Sequence, residues 1–359
     1  MSEQSTPVGM HPWDSVVFQR KGVALQLFIT TRGAYVHVSG EIFEVKVNRR
    51  KVQFAPQKIV SIVLATDAAI STEALRLAFK YNVDVLVLDS FGSPMGRFWH
   101  SRFGSTAAIR RAQLEAADRE IGLKLAKEWI GERLHGQAEL LRKLGRARQG
   151  DIAESMFESA KLITRFGRQL RAINGFVGEV RGSLMGIEGS AARIYFDALN
   201  EAIPEQWKFE GRSRTPAKNP FNAFLNYALG VLYGICERAI VLAGMDPYVG
   251  FLHTDNYNKL ALVFDIIEPR RVWAEDVVFH LFSGRKVKPG MYDEVPGGYT
   301  LNADGKKLLM EKFNSYLDHV VTYKKRKLSR RNTVLYDCHR TAGFLLGRGE
   351  TTFIKTKEL

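Results

Sequence analysis

The pattern of hydrophobic positions along the chain changes near residue 105. Before that point, short β-branched runs alternate with polar positions and end at glycine-containing turns, which is typical of strands. One helix is predicted at residues 71–81, where Ser71 is a candidate N-cap. Strands are predicted at residues 23–29, 35–38, 42–47, 58–64, 83–88 and 96–100. The pattern therefore predicts a compact β-rich domain over residues 15–105.

After that point, apolar side chains recur at three- and four-residue intervals with charges between them, as in amphipathic helices. The almost wholly apolar run 221–243 is predicted to be a helix at the centre of its domain. The helical pattern covers residues 107–135, 151–173, 188–202, 221–243 and 303–322. The predicted fold class is α+β, with the β-rich domain followed by an all-α domain over residues 106–322.

The two ends of the chain differ from both domains. Residues 1–14 are polar and contain two prolines, so they are predicted to be a flexible N-terminus. Residues 323–359 are predicted to be a basic C-terminal segment. It opens with six basic residues in nine, and these either grip a phosphate backbone or form a solvated tail. The nucleic-acid-binding candidates in this run are Lys324, Lys325, Arg326, Lys327, Arg330 and Arg331.

The composition of the chain indicates a polyanionic binding partner. A chain of 359 residues with 45% hydrophobic content can bury a sizeable core and usually divides into two domains. Its 52 Lys and Arg against 38 Asp and Glu give a net charge of +14. Such a balance is typical of proteins that bind nucleic acid, because each neutralised phosphate releases counterions. Since many basic proteins bind no nucleic acid, charge alone indicates only a polyanionic partner.

The sequence lacks the motifs that are typical of several other classes of protein. The two cysteines, Cys236 and Cys338, are isolated, which indicates neither a zinc knuckle nor a disulfide framework. The chain has no phosphate-binding Gly-x-x-x-x-Gly-Lys loop, serine-hydrolase elbow or His-Glu-x-x-His pair. No window reaches the roughly 18 uninterrupted apolar residues that a membrane span needs, and the N-terminus lacks a secretion signal. The protein is expected to be cytoplasmic, with no membrane partner.

Four residues are candidates for metal chemistry on phosphodiesters: Glu188, His253, Asp265 and Glu268. Carboxylates are ligands of Mg²⁺ and Mn²⁺, and an imidazole shifts the preference toward Mn²⁺ or zinc. A metal held this way would polarise a scissile phosphate, whether the attacking group is water or a DNA hydroxyl. Structural alternatives are a first-turn carboxylate for Glu188, favoured by the helix dipole, and a hydrogen-bonded loop histidine for His253.

The acidic pair has its own alternative. Asp265 and Glu268 are three residues apart, so on a helix their side chains share a face. They could form ion pairs with Arg270 or Arg271, but their apolar neighbours make a charged partner or a metal ion necessary. Because Pro269 disfavours helical backbone at the residue before it, the pattern does not fix the geometry of Glu268.

The sequence around these residues resembles the CRISPR-associated integrase family, whose members insert new spacers into CRISPR arrays. In that family a Glu, a His and an acidic pair occur in similar contexts and in this order. The resemblance covers residues from about 20 to about 320. Its motifs are Met185-Gly-Ile-Glu188-Gly-Ser-Ala-Ala-Arg193-Ile-Tyr-Phe196, Arg214-Thr-Pro-Ala-Lys-Asn-Pro220-Phe-Asn-Ala-Phe-Leu-Asn226-Tyr227, Asp246-Pro-Tyr-Val-Gly-Phe-Leu-His253 and Asp265-Ile-Ile-Glu268.

The resemblance implies a metal-dependent DNA integrase and endonuclease. Glu188, His253 and Glu268 would hold Mg²⁺ or Mn²⁺, and Asp265 would support this catalytic site. Arg193, in the first motif, is a further nucleic-acid-binding candidate. The enzyme would join 3′-hydroxyl ends of short DNA fragments, the prespacers, into a CRISPR array by transesterification.

The resemblance also implies partners and a form for the first domain. The expected partners are short duplex DNA, CRISPR repeat-leader DNA, a second copy of the chain and a small ferredoxin-like adaptation subunit. The N-terminal domain would be β-sandwich-like and would mediate dimerisation.

Two other functions stay open. A transposon-end integrase would use the same active site, although residues 332–359 are short for the C-terminal DNA-binding module such relatives tend to carry. A non-catalytic nucleic-acid-binding module would explain the charge without using the carboxylates.

Overall fold

The computed structural model describes residues 16–17, 25–89, 91–92, 94–98, 106–253 and 259–348. The predicted flexible N-terminus at residues 1–14 lies outside these ranges, as does the end of the predicted C-terminal segment from residue 349.

Two sheets and one helix make up the first part of the chain. The strands are β1 (Val16–Val17), β2 (Leu25–Ile29), β3 (Tyr35–Ser39), β4 (Ile42–Val47), β5 (Arg50–Phe54), β6 (Ile59–Leu64), β7 (Ala69–Ile70), β8 (Asp84–Leu88) and β9 (Pro94–Phe98), and helix α1 is Thr72–Lys80. One sheet has the order β1-β2-β6-β8-β9, with parallel central pairs and antiparallel edges. The other has the order β5-β4-β3-β7.

The central strands of the five-stranded sheet are buried on both faces. Leu27 and Ile29 of β2 pack in a core cluster with the second sheet and α1, whereas Phe28 between them packs against the helices. Successive side chains of a strand point to opposite faces, so a strand covered on both sides is apolar throughout. Ser71 caps α1 as predicted, because its Oγ accepts a hydrogen bond of 3.1 Å from the Ala74 amide.

The rest of the chain is largely helical. The helices are α2 (Ala107–Ala117), α3 (Glu120–Arg146), α4 (Asp151–Ala172), α5 (Val177–Glu201), α6 (Pro220–Leu242), α7 (Ala261–Ile267), α8 (Arg271–Ser283), α9 (Ala303–Asp318) and α10 (Arg330–Leu345). Two antiparallel hairpins lie between them, β10 (Tyr292–Val295) with β11 (Gly298–Leu301) and β12 (Val320–Tyr323) with β13 (Arg326–Ser329). This order confirms the predicted α+β class, strand-rich first and helical second.

Helix α6 lies in the centre of the helical part. It begins at Asn219, whose side chain accepts a hydrogen bond of 2.8 Å from the Asn222 amide, and Pro220 occupies its first turn. Helices α7, α8, α9 and α10 all contact it. Within the described residues, α6 is the helix long and apolar enough to cross a membrane, but 61% of that window is buried inside the protein. A buried core helix passes the same test.

The basic run near residue 323 differs from a solvated tail. It forms the β12–β13 hairpin, and its two turn residues Lys324 and Lys325 have φ of 48° and 65°. Two left-handed residues in a row match the twist of a tight hairpin. Helix α10 follows, and its residues Val334 and Cys338 are fully buried in the helical core. The described residues after 323 therefore belong to the folded helical part.

Candidate active site

Asp265 holds the loop that carries His253. Its carboxylate is fully buried at the middle of α7 and accepts hydrogen bonds from the backbone amides of Phe251 (2.6 Å), Leu252 (3.1 Å) and His253 (3.1 Å). It also lies 2.6 Å from Nδ1 of His253. A neutral imidazole then donates Nδ1–H to Asp265 and leaves Nε2 as its acceptor, an arrangement common behind metal-ligating histidines.

The loop passes very close to α7, and Gly250 allows it. A Cβ at residue 250 would lie 2.7 Å from Cβ of Ala261 and 2.8 Å from the carbonyl oxygen of His253. Any side chain would push the loop away from the helix, so the glycine lets the three amides reach the Asp265 carboxylate.

Two side chains from other helices fix the same loop. Gln113 of α2 donates hydrogen bonds to the carbonyls of Asp246 (2.9 Å) and Val249 (2.7 Å) and accepts one from the Asp246 amide at 2.8 Å. Arg181 of α5 donates from Nε to the Leu252 carbonyl at 2.9 Å. The imidazole is thus positioned by contacts from α2, α5 and α7.

Glu188 and Glu268 meet at one guanidinium group. Helix α5 carries Glu188, and Glu268 begins a single turn of 3₁₀ helix that contains Pro269 and connects α7 to α8. Nη1 of Arg133, on α3, donates to both carboxylates. The second oxygen of Glu268 accepts a hydrogen bond of 2.8 Å from Nε of Arg271. Two carboxylates that are 80 residues apart in sequence therefore converge on one cation.

Charge pairing in this cluster outweighs burial. Burial would raise the pKa of Glu268, but Arg133 and Arg271 hold that pKa below its usual value. Burial would likewise lower the pKa of Arg133, and Glu268 and Glu188 raise it instead. The Arg133 guanidinium and the Glu268 carboxylate are therefore both charged at neutral pH.

An aromatic wall connects the histidine to the carboxylate cluster. The ring of Phe264 lies 5.6 Å from that of His253 and 5.2 Å from that of Tyr233. The Tyr233 hydroxyl accepts a hydrogen bond of 3.1 Å from Arg271, which in turn holds Glu268. The proximity of His253 also lowers the pKa of Glu268, so the two side chains lie within electrostatic reach of each other.

The donor set suits a hard divalent cation. Two carboxylates already share one positive charge, and an oriented imidazole lies nearby, which is the chemistry that Mg²⁺ or Mn²⁺ accepts. Among the described residues, however, no group of three or more His, Cys, Asp or Glu side chains stands close enough to coordinate an ion as placed. The residue types fit a metal ion, and Arg133 occupies the position between the carboxylates.

Arg133 is the site residue that sequence reasoning missed. It belongs to no motif, but it interrupts the apolar face of α3 formed by Trp129, Ile130 and Leu134, all buried. A cation at a core position requires buried negative partners. This break in the apolar stripe is the signal that could have found it.

Of the two arginines considered as ion-pair partners of Asp265 and Glu268, one binds a member of this pair and the other does not. Arg271 does bind Glu268, but the pair is buried and contacts the other site residues instead of lying on a solvated face. Arg270 turns away and binds Asp337 of α10. Within the described part of the chain, Asp265 and Glu268 have no hydrogen-bond or ion-pair partner in common.

The nucleic-acid-binding candidates fall into two groups. Lys324 binds Asp337 at 3.1 Å, Arg330 lies over the Tyr316 ring at 4.1 Å, and Arg331 binds Asp318 at 2.9 Å. These three side chains are engaged within the fold.

The other four candidates face solvent. Lys325, Arg326 and Lys327 are exposed on the hairpin, and Arg193 is exposed on α5, five residues after Glu188.

Comparison with known proteins gives consistent matches. A family model described as CRISPR associated protein Cas1 matches residues 27–315. A CRISPR-associated endonuclease Cas1 from Archaeoglobus fulgidus is 32% identical over 90% of this chain and 97% of its own length.

Two solved structures share the fold. A casposase bound to its integration product matches with a TM-score of 0.81 and 22% identity, over 93% of this chain and 94% of that one. A chain of a Cas6-RT-Cas1–Cas2 complex matches with a TM-score of 0.76 and 19% identity, over 95% of this chain and 37% of that one.

Proposed function

We propose, because this chain belongs to the Cas1 family of CRISPR-associated endonucleases, that it joins 3′-hydroxyl ends of short DNA fragments into a CRISPR array by transesterification. The observation that carries the proposal is the convergence of Glu188 and Glu268 on one cation, beside a histidine that Asp265 orients. Membership of an endonuclease family leaves the non-catalytic binding module without support.

Glu188, His253 and Glu268 would hold the metal ion, Mg²⁺ or Mn²⁺. Once bound, the ion would polarise the scissile phosphate and stabilise charge on the attacking and leaving oxygens. Asp265 keeps the His253 imidazole in one tautomer and one orientation. Arg271 holds Glu268 ionised and fixes one of its oxygens.

DNA would be held by charge around this centre. The net charge of +14 attracts a polyanion, and the exposed Arg193, Lys325, Arg326 and Lys327 would bind phosphates. We assign catalysis to a helical domain over residues 106–322 and dimerisation to residues 15–105, in a cytoplasmic protein. The complex named for one structural relative pairs Cas1 with Cas2, which supports a small ferredoxin-like subunit as partner.

A transposon-end integrase is the second candidate, because a casposase bound to its integration product shares this fold over nearly the whole chain. Both enzymes would perform the same strand transfer at the same residues. Only the DNA separates them: a repeat-leader target supports the CRISPR role, and a requirement for terminal inverted repeats supports the transposon role.

The test is a joining assay. A short duplex with free 3′-hydroxyls is incubated with a supercoiled plasmid carrying a leader and repeat, in Mn²⁺, Mg²⁺ or EDTA, and joined products are scored. We expect Glu188→Gln, His253→Ala and Glu268→Gln to lower joining by about a hundredfold or more. Asp197→Asn, an exposed carboxylate on the same helix as Glu188, is the matched control and should keep full activity.

Two results would contradict the proposal. Undiminished joining in EDTA would exclude metal dependence, and full activity of the His253 variant would exclude the ligand assignment.

A further inference from the structure

Arg133 occupies the position at which the proposed ligands converge. Its side chain is 7% exposed, and a single nitrogen, Nη1, donates to Glu188 and Glu268 together. A guanidinium has five N–H donors, and a buried one normally distributes them over several acceptors. Here Nε of the same group is buried without a hydrogen-bond partner among the described residues. A single nitrogen of Arg133 therefore bridges the two carboxylates, as a metal ion between them would.

We propose that Arg133 competes with the divalent metal ion for Glu188 and Glu268, and that metal binding moves its guanidinium to Glu275. This inference rests on the proposed metal site. The inference gives the Arg133 side chain a second position, in which its guanidinium binds Glu275.

Charge balance requires Arg133 to leave. Glu188 and Glu268 carry two negative charges, and Arg133 and Arg271 carry two positive ones, so these four groups balance one another. A divalent ion placed between the two carboxylates would bring two more positive charges against the Arg133 guanidinium in a low-dielectric site, which is unfavourable. Arg271 binds the other oxygen of Glu268 and can stay, whereas Arg133 binds both carboxylates at the point the ion would need.

Glu275 is a buried carboxylate that lacks a full partner. It lies on α8 with 2% exposure, and its Oε2 has no hydrogen-bond partner among the described residues. Its negative charge acts on Arg133, and Arg133 is the strongest of the positive charges that act on it. Burial nevertheless raises the pKa of Glu275, as expected for a carboxyl group without a bound cation. The Tyr195 hydroxyl also interacts with this carboxyl, and Oε2 is the atom that a guanidinium leaving Glu188 and Glu268 would meet.

The test measures Mn²⁺ binding by calorimetry and by the loss of free-ion electron paramagnetic resonance signal, with no DNA present. Arg133→Met keeps a flexible, unbranched side chain in the core and removes the charge. We expect its dissociation constant for Mn²⁺ to fall by about tenfold, because the ion then meets two carboxylates without a competitor. Glu275→Gln removes the receiving charge, so Arg133 has no second position. We expect Mn²⁺ affinity to fall by about tenfold in that variant.

The double variant, Arg133→Met with Glu275→Gln, distinguishes movement of Arg133 between two positions from two independent effects on Mn²⁺ binding. Once Arg133 is Met, Glu275→Gln should no longer change the dissociation constant, so the two effects are not additive. Arg97→Met is the matched control, because Arg97 is also buried and also bridges two carboxylates, Asp84 and Glu237, each at 3.2 Å. It should leave Mn²⁺ affinity unchanged. Thermal unfolding in EDTA reports whether each variant is folded, and Glu275→Gln tests the inference by itself if Arg133→Met is unstable.

The outcomes distinguish this inference from the proposed function. If the unsubstituted protein binds no Mn²⁺, both are overturned. If it binds Mn²⁺ but Arg133→Met binds with equal or lower affinity, Arg133 is a fixed positioning residue and only the competition is overturned. An equal gain in Arg97→Met would also overturn it, since the effect would then follow from net charge.

Discussion

Asp265 and Glu268 are equivalent in the sequence pattern but have different contacts in the structure. Asp265 is surrounded by three backbone amides and one imidazole, all potential donors, whereas Glu268 contacts two guanidinium groups. The chain passes from α7 into the 3₁₀ turn Glu268–Arg270 between the two carboxylates, and the two side chains contact different partners.

Asp265→Asn tests the supporting role of this carboxylate. The amide keeps the shape but loses the charge that four donors share, so we expect the free energy of unfolding to fall by about 2–4 kcal/mol. Strand transfer should fall by about 10–100-fold, less than for loss of a metal ligand, because the imidazole loses its orienting partner but remains present. Urea unfolding and the joining assay measure the two effects. A variant as stable as the original protein would show that the amides do not depend on the charge.

The site was predictable as far as its residues lie in motifs. Glu188, His253 and Glu268 were identified from short sequence contexts, and the structure brings their segments into one region. Arg133 was not, because an arginine on a helix has no fixed partner until the packing of α3 against α5 and the 3₁₀ turn is known. Side-chain pairing across 55 and 135 residues depends on that packing, which no local pattern encodes.

At the scale of elements, helices and strands with a strong hydrophobic periodicity were predicted correctly, whereas elements with a weak periodicity were missed. The strand predicted at residues 42–47 matches β4, Ile42–Val47, and the apolar helix 221–243 matches α6 within one residue. Strand β5, Arg50–Phe54, was missed because its basic residues resemble a turn, and it forms only by pairing with β4 at the sheet edge.

The predicted helix 107–135 is two helices, α2 and α3. The chain turns sharply between them, and a Cβ at Gly122 would lie 2.7 Å from the Ala116 carbonyl oxygen. The glycine permits this close approach. In the sequence it is a single residue within a continuous apolar pattern, so the break was not visible.

Gln113→Met tests whether α2 positions the loop before His253. Gln113 is fully buried and makes three hydrogen bonds to the backbone of residues 246–249. Methionine fills the space and leaves those groups unpaired, so we expect a loss of about 2–4 kcal/mol in the free energy of unfolding and a lower joining rate. Gln57→Met, at an exposed position, is the control. An unchanged melting temperature would contradict the anchoring role.

At the scale of the whole molecule, a buried charge cluster connects α10 to α3 and to the 3₁₀ turn after α7. Arg270 binds Asp337, which also accepts hydrogen bonds from Tyr323 (2.8 Å) and Lys324 (3.1 Å). Glu132 of α3 lies in the same electrostatic environment, and its burial raises its pKa from 4.5 to about 7. The end of the described chain is therefore coupled to the helix that carries Arg133.

Glu132 gives this cluster a pH dependence. Between pH 4.5 and about 7 the folded protein holds a proton that the unfolded chain has lost, so stability falls as the pH rises through this window and stays lower above it. Glu132→Gln cannot ionise and should be more stable than the original protein at pH 8 but equally stable at pH 4. Urea unfolding across this range measures the difference. A difference that does not change with pH would exclude the shifted pKa.

Electrostatic binding of DNA also depends on the whole molecule, and substitutions in the exposed β12–β13 hairpin test it. Replacing Lys325, Arg326 and Lys327 by alanine should weaken DNA binding and reduce the slope of log affinity against log salt by about 2–3. A charge-matched control replaces Arg49, Arg50 and Lys51, which are exposed on the β4–β5 hairpin. Equal losses in both variants would mean that net charge alone, and no local contact, holds the DNA.

The position of α10 also sets an order for protein synthesis. Among the residues the structure describes, the core between the two sheets consists of positions up to Val87, so it can close soon after β9 leaves the ribosome. The helical core includes Phe28 from the first part and Ala342 from the last helix, so it stays incomplete until the chain is almost finished. At typical rates of ~5–20 residues per second, the helical core waits for a time on the order of ten to fifty seconds. During that interval the apolar α6 has no α10 to cover it, so its apolar surface is open to binding by a chaperone.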